Sequence, residues 1–302
     1  MTQSRKRSLL GSPRARAVVR QWLPPIVSDG IGRLRRRPGT QEGSPDWEYR
    51  PSGWPTDGET RGWDVTSVRD SQLTAWPAFA RAVEGSSPLG NVPMTTGDAT
   101  YVDIGAHNTI MSFAYVAALA SRHLDRISML DWGGGLGQYG LLARSLLPGI
   151  EVEYHCRELP TLAGAGRLVH PSGTFHDTDD GALARTYDLV MASASLHYAA
   201  DWRRTLASLV SVSSPYLYVT RLPVVRTVPS YVVVQRPYRY GYDTEYPGWF
   251  VNRGEFLGVA AELGLSLLRE FLIWETPDVR GAPEQAQYRG YLFVTRRGTD
   301  LT

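Results

Sequence analysis

Cysteine is nearly absent: Cys156 stands alone among 302 residues. A single thiol excludes an intramolecular disulfide framework and a cysteine-rich zinc site, and its alternating apolar surroundings mark it as a packed core thiol. Long apolar runs are missing too. No stretch approaches the roughly 20 apolar residues that span a bilayer, and the N-terminus lacks the continuous apolar centre of a secretory signal. The expected compartment is the cytoplasm. What is present is ordinary for a folded protein: 42% hydrophobic residues in a chain long enough for one large core or two small ones.

The net charge of +2 conceals an asymmetry, because residues 1–40 carry Lys6 and nine arginines against Asp29 alone. The remainder of the chain is therefore acidic. The basic arm admits three readings: a solvated tail, an amphipathic helix ("RAVVRQWLPPIV") resting on a protein partner or an anionic membrane, and a nucleic-acid contact. The acidic body weighs against nucleic acid. An Arg-rich, acid-poor opening also resembles an organelle transit peptide, with nothing else in support.

Residues 41–126 follow as a helical region. Its first part is rich in Pro, Gly, Ser and Asp, with Trp47, Trp54, Trp63 and Trp76 scattered among long connections, and "QLTAWPAFARAVEG" reads as an isolated helix. "NTIMSFAYVAALASR" then presents an apolar helical face with Asn108 as its cap. From residue 127 to about 298, short β-rich runs alternate with helical stretches: "ISMLDW", "GQYGLLARSLL", "EVEYHCREL", "LPTLAGAGRLV", "GTFHD", "YDLVMASAS", "DWRRTLASLVSV" and "SPYLYVTRL". That alternation predicts an open α/β sheet with crossover helices. The last two strands, "SLLREFLIWE" and "YRGYLFVTRR", are too close for a crossover helix and form an antiparallel pair. No internal repeat is present.

The stretch "MLDWGGGLGQYG" places Gly133, Gly134, Gly135, Gly137 and Gly140 directly after an apolar strand, where an α/β sheet puts the floor of its ligand site. So many glycines would be costly in conformational entropy for packing alone. Two templates fit. Gly135, Gly137 and Gly140 satisfy the dinucleotide pattern G-x-G-x-x-G, with Glu158 near the ribose-binding distance. Asp131, Gly133, Gly135 and Gly137 satisfy D-x-G-x-G-x-G, the pattern of S-adenosylmethionine (SAM) binding. The acid favours SAM, because a carboxylate beside an anionic pyrophosphate costs binding, whereas SAM presents an ammonium and a sulfonium.

With "HNTIMSFAYVAALA", "SMLDWGGGLGQYG", "CRELPTLAGAGR", "YDLVMASASLHYAADW", "YVTRLPV" and "YPGWFVNRGEFLGVAAELG", the chain resembles the class I SAM-dependent methyltransferases. More narrowly it is similar to a family of methyltransferases found beside polysaccharide and natural-product genes. The resemblance covers residues 45–297 and implies a Rossmann-like α/β fold of seven strands, only the last antiparallel, here with an N-terminal helical extension. It implies that Asp131, Gly133, Gly134, Gly135 and Gly137 hold the methionine part of SAM and that Glu158 takes the ribose hydroxyls. It also implies that Asp177 meets the adenine amino group, with Asp179 and Asp180 as rivals, and that "SASLHY" brings Ser195, His197 and Tyr198 near the methyl group.

Methyl transfer from a sulfonium gains much of its rate from alignment, and a hydroxyl acceptor also profits from a general base. His197 is the candidate base, against a purely positional role, and Tyr198 is a pocket wall more than a proton carrier. His107 belongs to a region that closes over the cofactor in this fold, against a simple helix-cap role, and Tyr139 lies just past the glycine loop. His123, His155, His170 and His176 read as structural. Asp201 stands without the clustered carboxylates of a metal-dependent methyltransferase, so no metal is expected. An aromatic-rich insertion over residues 223–252 offers Tyr242 and Trp249 with Arg236 and Arg239, which suit a sugar, a phosphorylated sugar or an aromatic acid. The same residues equally suit a lid packed on the core or a homodimer contact.

The leading reading is SAM-dependent methyl transfer, on oxygen, to a small-molecule or carbohydrate substrate. Its rivals are an NAD(P)-dependent oxidoreductase, a non-catalytic SAM-binding protein, and SAM-dependent chemistry of another kind.

Overall fold

A computed structural model describes residues 45–56, 58–86, 88–89, 91–93 and 100–295. The basic arm over residues 1–40 lies outside the described residues. Among them, no helix is long and apolar enough to cross a membrane.

The central strands are β4 (Arg126–Trp132), β5 (Glu151–Arg157), β6 (Thr174–His176), β7 (Tyr187–Ser193) and β8 (Ser213–Val225), with β11 (Leu265–Leu272) and β12 (Gln287–Thr295) at one edge. They lie in the order β6-β5-β4-β7-β8-β12-β11. Every pairing from β6 to β8 is parallel, and β12 runs antiparallel to both its neighbours. These seven strands are Rossmann-like, with only the last reversed, and belong to a ten-stranded sheet. Parallel strands need crossovers, which α3 (Gln138–Leu146), α4 (Pro160–Val169), α5 (Asp179–Ala182), α6 (Trp202–Val212) and α7 (Arg253–Glu262) supply.

Side chains alternate across this sheet with period two. Ile127, Met129, Leu189, Met191 and Tyr218 pack on one face against Phe113, Val116, Leu142 and Ala143. Leu130, Val190, Ala192, Leu217 and Val219 pack on the other against Trp202, Leu206, Leu209 and Phe256. Each fully buried side chain of this size contributes roughly 1.5–3 kcal/mol, so both faces of the strands are fixed in register. The alternation also sends Asp131 to the face of Ile127 and Met129, beneath the helix layer.

Residues 45–126 contain more strand than the sequence suggests. β1 (Trp47–Arg50) lies in a stretch read as loop, and pairs antiparallel with β9 (Tyr231–Gln235). It is only four residues long, with no clear alternation of its own, and its partner lies far along the chain. Then come α1 (Thr66–Glu84), the short pair β2 (Asn91–Pro93) and β3 (Thr100–Val102), and α2 (Ile104–Ser121). Asp103 caps α2, accepting from the Ala106 N–H at 2.9 Å, so Asn108 sits inside the helix rather than at its start. Asp201 likewise caps α6 through the Arg204 N–H.

The aromatic insertion forms a meander in which β10 (Tyr246–Asn252) pairs with β9, and β9 with β1. Val224 of β8 is matched by Gln287 of β12 on one side and Val251 of β10 on the other. β10 thus takes over the edge of β8 that β7 leaves at Thr220, which sets the meander above the carboxyl end of β7.

Candidate active site

Beyond the carboxyl ends of β4, β5, β7 and β8 lies a cavity of about 520 Å³, a size that suits a cofactor or a drug-sized ligand. The strand ends provide Trp132, Gly133, Gly134, Gly135, Arg157, Glu158, Ser193, Ser195 and Arg221; α1 and α2 cover it with Gln72, Phe79, Ala106, Thr109 and Ile110. Trp63, Tyr139, Tyr198 and Tyr242 complete the walls.

The glycine loop is packed so closely that side chains added to it would collide with their neighbours. A Cβ on Gly134 would stand 2.4 Å from Asp131 Oδ2, and one on Gly133, itself left-handed at φ 72°, would stand 2.5 Å from Ser195 Cβ. Ser195 donates to the Trp132 carbonyl at 2.6 Å, tying the β4 and β7 loops together.

Four of the five amides of the loop are hydrogen-bonded within the protein. Gly133 N–H donates to the Arg157 carbonyl at 2.8 Å and Gly135 N–H to Glu158 Oε2 at 2.9 Å. Leu136 N–H donates to Gln138 Oε1 and Gly137 N–H to the Gly134 carbonyl. A loop that cradles phosphate presents such donors to the ligand; this loop turns most of them inward.

Two carboxylates add to that bias. Glu158 lines the cavity, accepting from Gly135 and Leu159 N–H. Burial pushes its carboxyl upward, partly offset by those two bonds. Asp131 is wholly buried under the loop and accepts from the Tyr154 hydroxyl at 2.8 Å, while its Oδ1 has no partner. Burial lifts its carboxyl to about 7. Asp131 therefore supports the loop from below and does not line the cavity, which corrects the expectation that it touches the ligand.

Several other candidates also leave the site. Gly137 and Gly140 pack against His170 and Tyr154 and serve the α3 junction. Asp177 is exposed and pairs with Arg167, while its rival Asp179 pairs with Arg157. His107 is not among the residues that line the cavity, although its neighbours Ala106 and Thr109 are. Arg236 is held by Glu48 and Glu245, Arg239 lies over Tyr240 and near Asp46, and Trp249 donates to the Ala200 carbonyl while stacking on Trp54. The meander that carries them backs the cavity wall. Tyr242 alone among these insertion candidates lines it.

His197 is almost fully buried, 3.9 Å ring to ring from Tyr198, with neither nitrogen hydrogen-bonded. Burial, aided by the Arg221 charge, lowers its pKa to about 3. The ring is not among those that line the cavity, and its lowered pKa does not suit a general base near neutrality. Tyr198 does line the cavity, and its hydroxyl donates to Gln235 at 2.6 Å. Tyr139 lines the cavity with its hydroxyl 2.8 Å from Ser193 Oγ. Burial raises both tyrosines well above their ordinary value.

Sequence reasoning missed Trp132 and Arg157, whose guanidinium lies 5.3 Å over the Trp132 ring. Both adjoin residues already singled out, so adjacency was a usable signal. Gln72 carried none: its Oε1 is buried without a partner and would stand 2.9 Å from a Cβ on Gly135.

No protein-family model matches the chain, and no curated protein matches it. Solved structures similar to it include magnesium protoporphyrin IX methyltransferase from Synechocystis PCC 6803 with bound SAM, at 16% identity over 76% of this chain and 96% of that one, TM-score 0.45. A SAM-dependent methyltransferase from Clostridium acetobutylicum ATCC 824 has 11% identity over 61% and 89%, TM-score 0.42. CalS10, an amino pentose methyltransferase from Micromonospora echinaspora, has 15% identity over 61% and 90%, TM-score 0.39. The strand order with its reversed last strand is that of the class I methyltransferase fold.

Proposed function

We propose that the chain is a SAM-dependent methyltransferase that acts on a hydroxyl of a small molecule or glycan, in natural-product or polysaccharide biosynthesis. The observation that carries the cofactor is the glycine loop itself: four of its five amides are spent within the protein, and Asp131 and Glu158 lie beneath and beside it. A pyrophosphate laid over the loop would meet Glu158 and gain few backbone N–H donors. SAM carries no phosphate, and its ammonium, amino and hydroxyl groups are donors. They match an acceptor-rich site, namely Glu158 and the unpartnered Gln72 Oε1.

Gly133, Gly134, Trp132, Glu158 and Gln72 would hold the cofactor, which when bound supplies an electrophilic methyl on a sulfonium. The chain's own contribution is placement. Tyr139, Ser193 and Tyr198 confine an acceptor against the strand ends, and holding two reactants in line replaces much of the need for side-chain chemistry. None of the titratable groups placed here at the acceptor end has a pKa suited to a general base near neutrality, so the acceptor proton leaves to water.

Incubation with SAM and a panel of hydroxylated small molecules and glycans, read by release of S-adenosylhomocysteine (SAH), tests the reaction directly. Replacing Glu158 by Ala is expected to weaken SAM binding about tenfold, roughly the 1.4 kcal/mol of one hydrogen bond to a charged group. Unchanged affinity would contradict the assignment of Glu158.

A further inference from the structure

Arg221 has no part in the cofactor assignment, yet the backbone is bent to deliver it. Between Val219 and Leu222, two residues of β8 oppose only Gly290 of β12. Such a bulge re-aims a side chain. Arg221 takes a left-handed conformation there, φ 48°, and Ala194 at the end of β7 does the same, φ 50°, with its N–H donating to the Thr220 carbonyl at 3.0 Å. Two adjacent strained residues that are not glycine, both lining one cavity, are a cost that a functional site explains.

The guanidinium is gripped on one edge. Nε and Nη2 donate to the Glu275 carboxylate at 3.0–3.2 Å, while among the described residues Nη1 has no hydrogen-bond partner. Glu275 is itself fixed at the start of α2, where a Cβ on Gly105 would stand 3.3 Å from its own. The pair leaves the end-on face of the guanidinium, Nη1 with the second hydrogen of Nη2, for a planar two-oxygen partner. Tyr139, Tyr198, Tyr242 and Tyr288 lie within reach of the Arg221 charge, and the first three line the cavity. Among the described residues, Glu158 is the only carboxylate lining the cavity, at the glycine-loop end.

We propose that Arg221, oriented by Glu275, is the acceptor-recognising residue, and that the methyl acceptor is a small aromatic monocarboxylate. This rests on the methyltransferase reading above. Glu275 cancels one unit of charge beside Arg221, so a monoanion fits better than a phosphate dianion. The tyrosine rings supply the flat apolar walls that an aromatic body needs. Arg221 is the specificity-determining contact and Glu275 its positioning residue.

The test is calorimetry on the full chain saturated with SAH, titrated with 4-hydroxybenzoate, 4-hydroxybenzamide and 4-hydroxyphenyl phosphate. The carboxylate is expected to bind about tenfold tighter than the amide, a charge-assisted preference. Arg221→Asn, which the left-handed backbone accommodates, should remove that preference, and Arg221→Lys should retain a weaker form of it, with SAH affinity unchanged in both. Glu275→Gln should move the preference from carboxylate toward phosphate by about fivefold, a change that a merely structural role would not produce. The proposal is overturned by equal binding of carboxylate and amide, by phosphate binding tightest to the wild type, by no binding of any of the three, or by an Arg221→Asn protein that keeps the preference. Failure of SAH itself to bind would instead contradict the methyltransferase reading.

Discussion

The strand side of the cavity is made of consecutive backbone at the ends of β4, β5, β7 and β8, whereas its cover is assembled from separate side chains of residues 63–79, 106–110 and Tyr242. The two sides differ in how the polar groups next to the cavity are held. On the strand side four of the five loop amides from Gly133 to Gly137 have a hydrogen-bond partner in the protein. On the cover, Gln72 Oε1 and Trp63 Nε1 are buried without one. Buried polar groups are ordinarily satisfied. The strand side is thus a finished surface that shapes a ligand, and the cover holds the groups that bond to it.

That contrast is sharpened most by Asp131, under the finished side. Burial pushes its carboxyl up to about 7 in the folded protein, from an ordinary value of 3.8. A raised folded pKa means the unfolded state releases the proton first, so stability is fully present below about pH 4 and is lost as pH rises toward and past 7. Asp131 alone should withdraw up to about 4 kcal/mol across that window, so the stability of Asp131→Asn relative to wild type should rise as pH increases from about 4 to about 7, as read from urea midpoints at several pH values. Parallel curves for the two proteins would mean that Asp131 is not the titrating group.

Next in size is Gly134→Ala, which forces a methyl onto the Asp131 carboxylate and should cost about 3 kcal/mol by overpacking, visible as a lowered unfolding midpoint; wild-type stability would show that the loop can yield. On the cover the sign reverses. Gln72→Ala removes an unsatisfied acceptor, so it should raise stability by about 1 kcal/mol while weakening SAH binding about fivefold. A loss of both stability and affinity would break the comparison. The smallest effect belongs to the meander: Arg236→Met lies outside the cavity and should leave SAH affinity within about twofold.

The strand side was legible in the sequence because its signals are local. Short β-rich runs alternating with helical stretches identified β4, β5, β7 and β8, "DWGGGLG" marked the loop, and Glu158 followed the next strand. Asp131 shows the limit of that reading: the motif identified the acid, but only the facing of β4 tells that it lies below the loop. Gly137 and Gly140 fit a ligand template and turn out to fit the packing of Tyr154 and His170. The cover was illegible because its residues meet by long-range packing. Trp63 stacks on Tyr246 at 3.9 Å across most of the chain, and nothing local distinguishes Gln72 from other surface glutamines. Arg236 and Arg239 drew attention as cations among aromatics, but partners at Glu48, Glu245 and Asp46 lie far away in sequence for most of these contacts. Arg221, in a strand that read as core, needed the bulge opposite Gly290 to be seen.

The most direct measurement is a calorimetric titration of the purified full chain with SAH and, separately, with NADH. A loop whose amides mostly point into the protein and whose adjoining carboxylate is Glu158 should bind SAH at one site per chain and leave NADH unbound. Tight binding of NADH with no response to SAH would contradict the account.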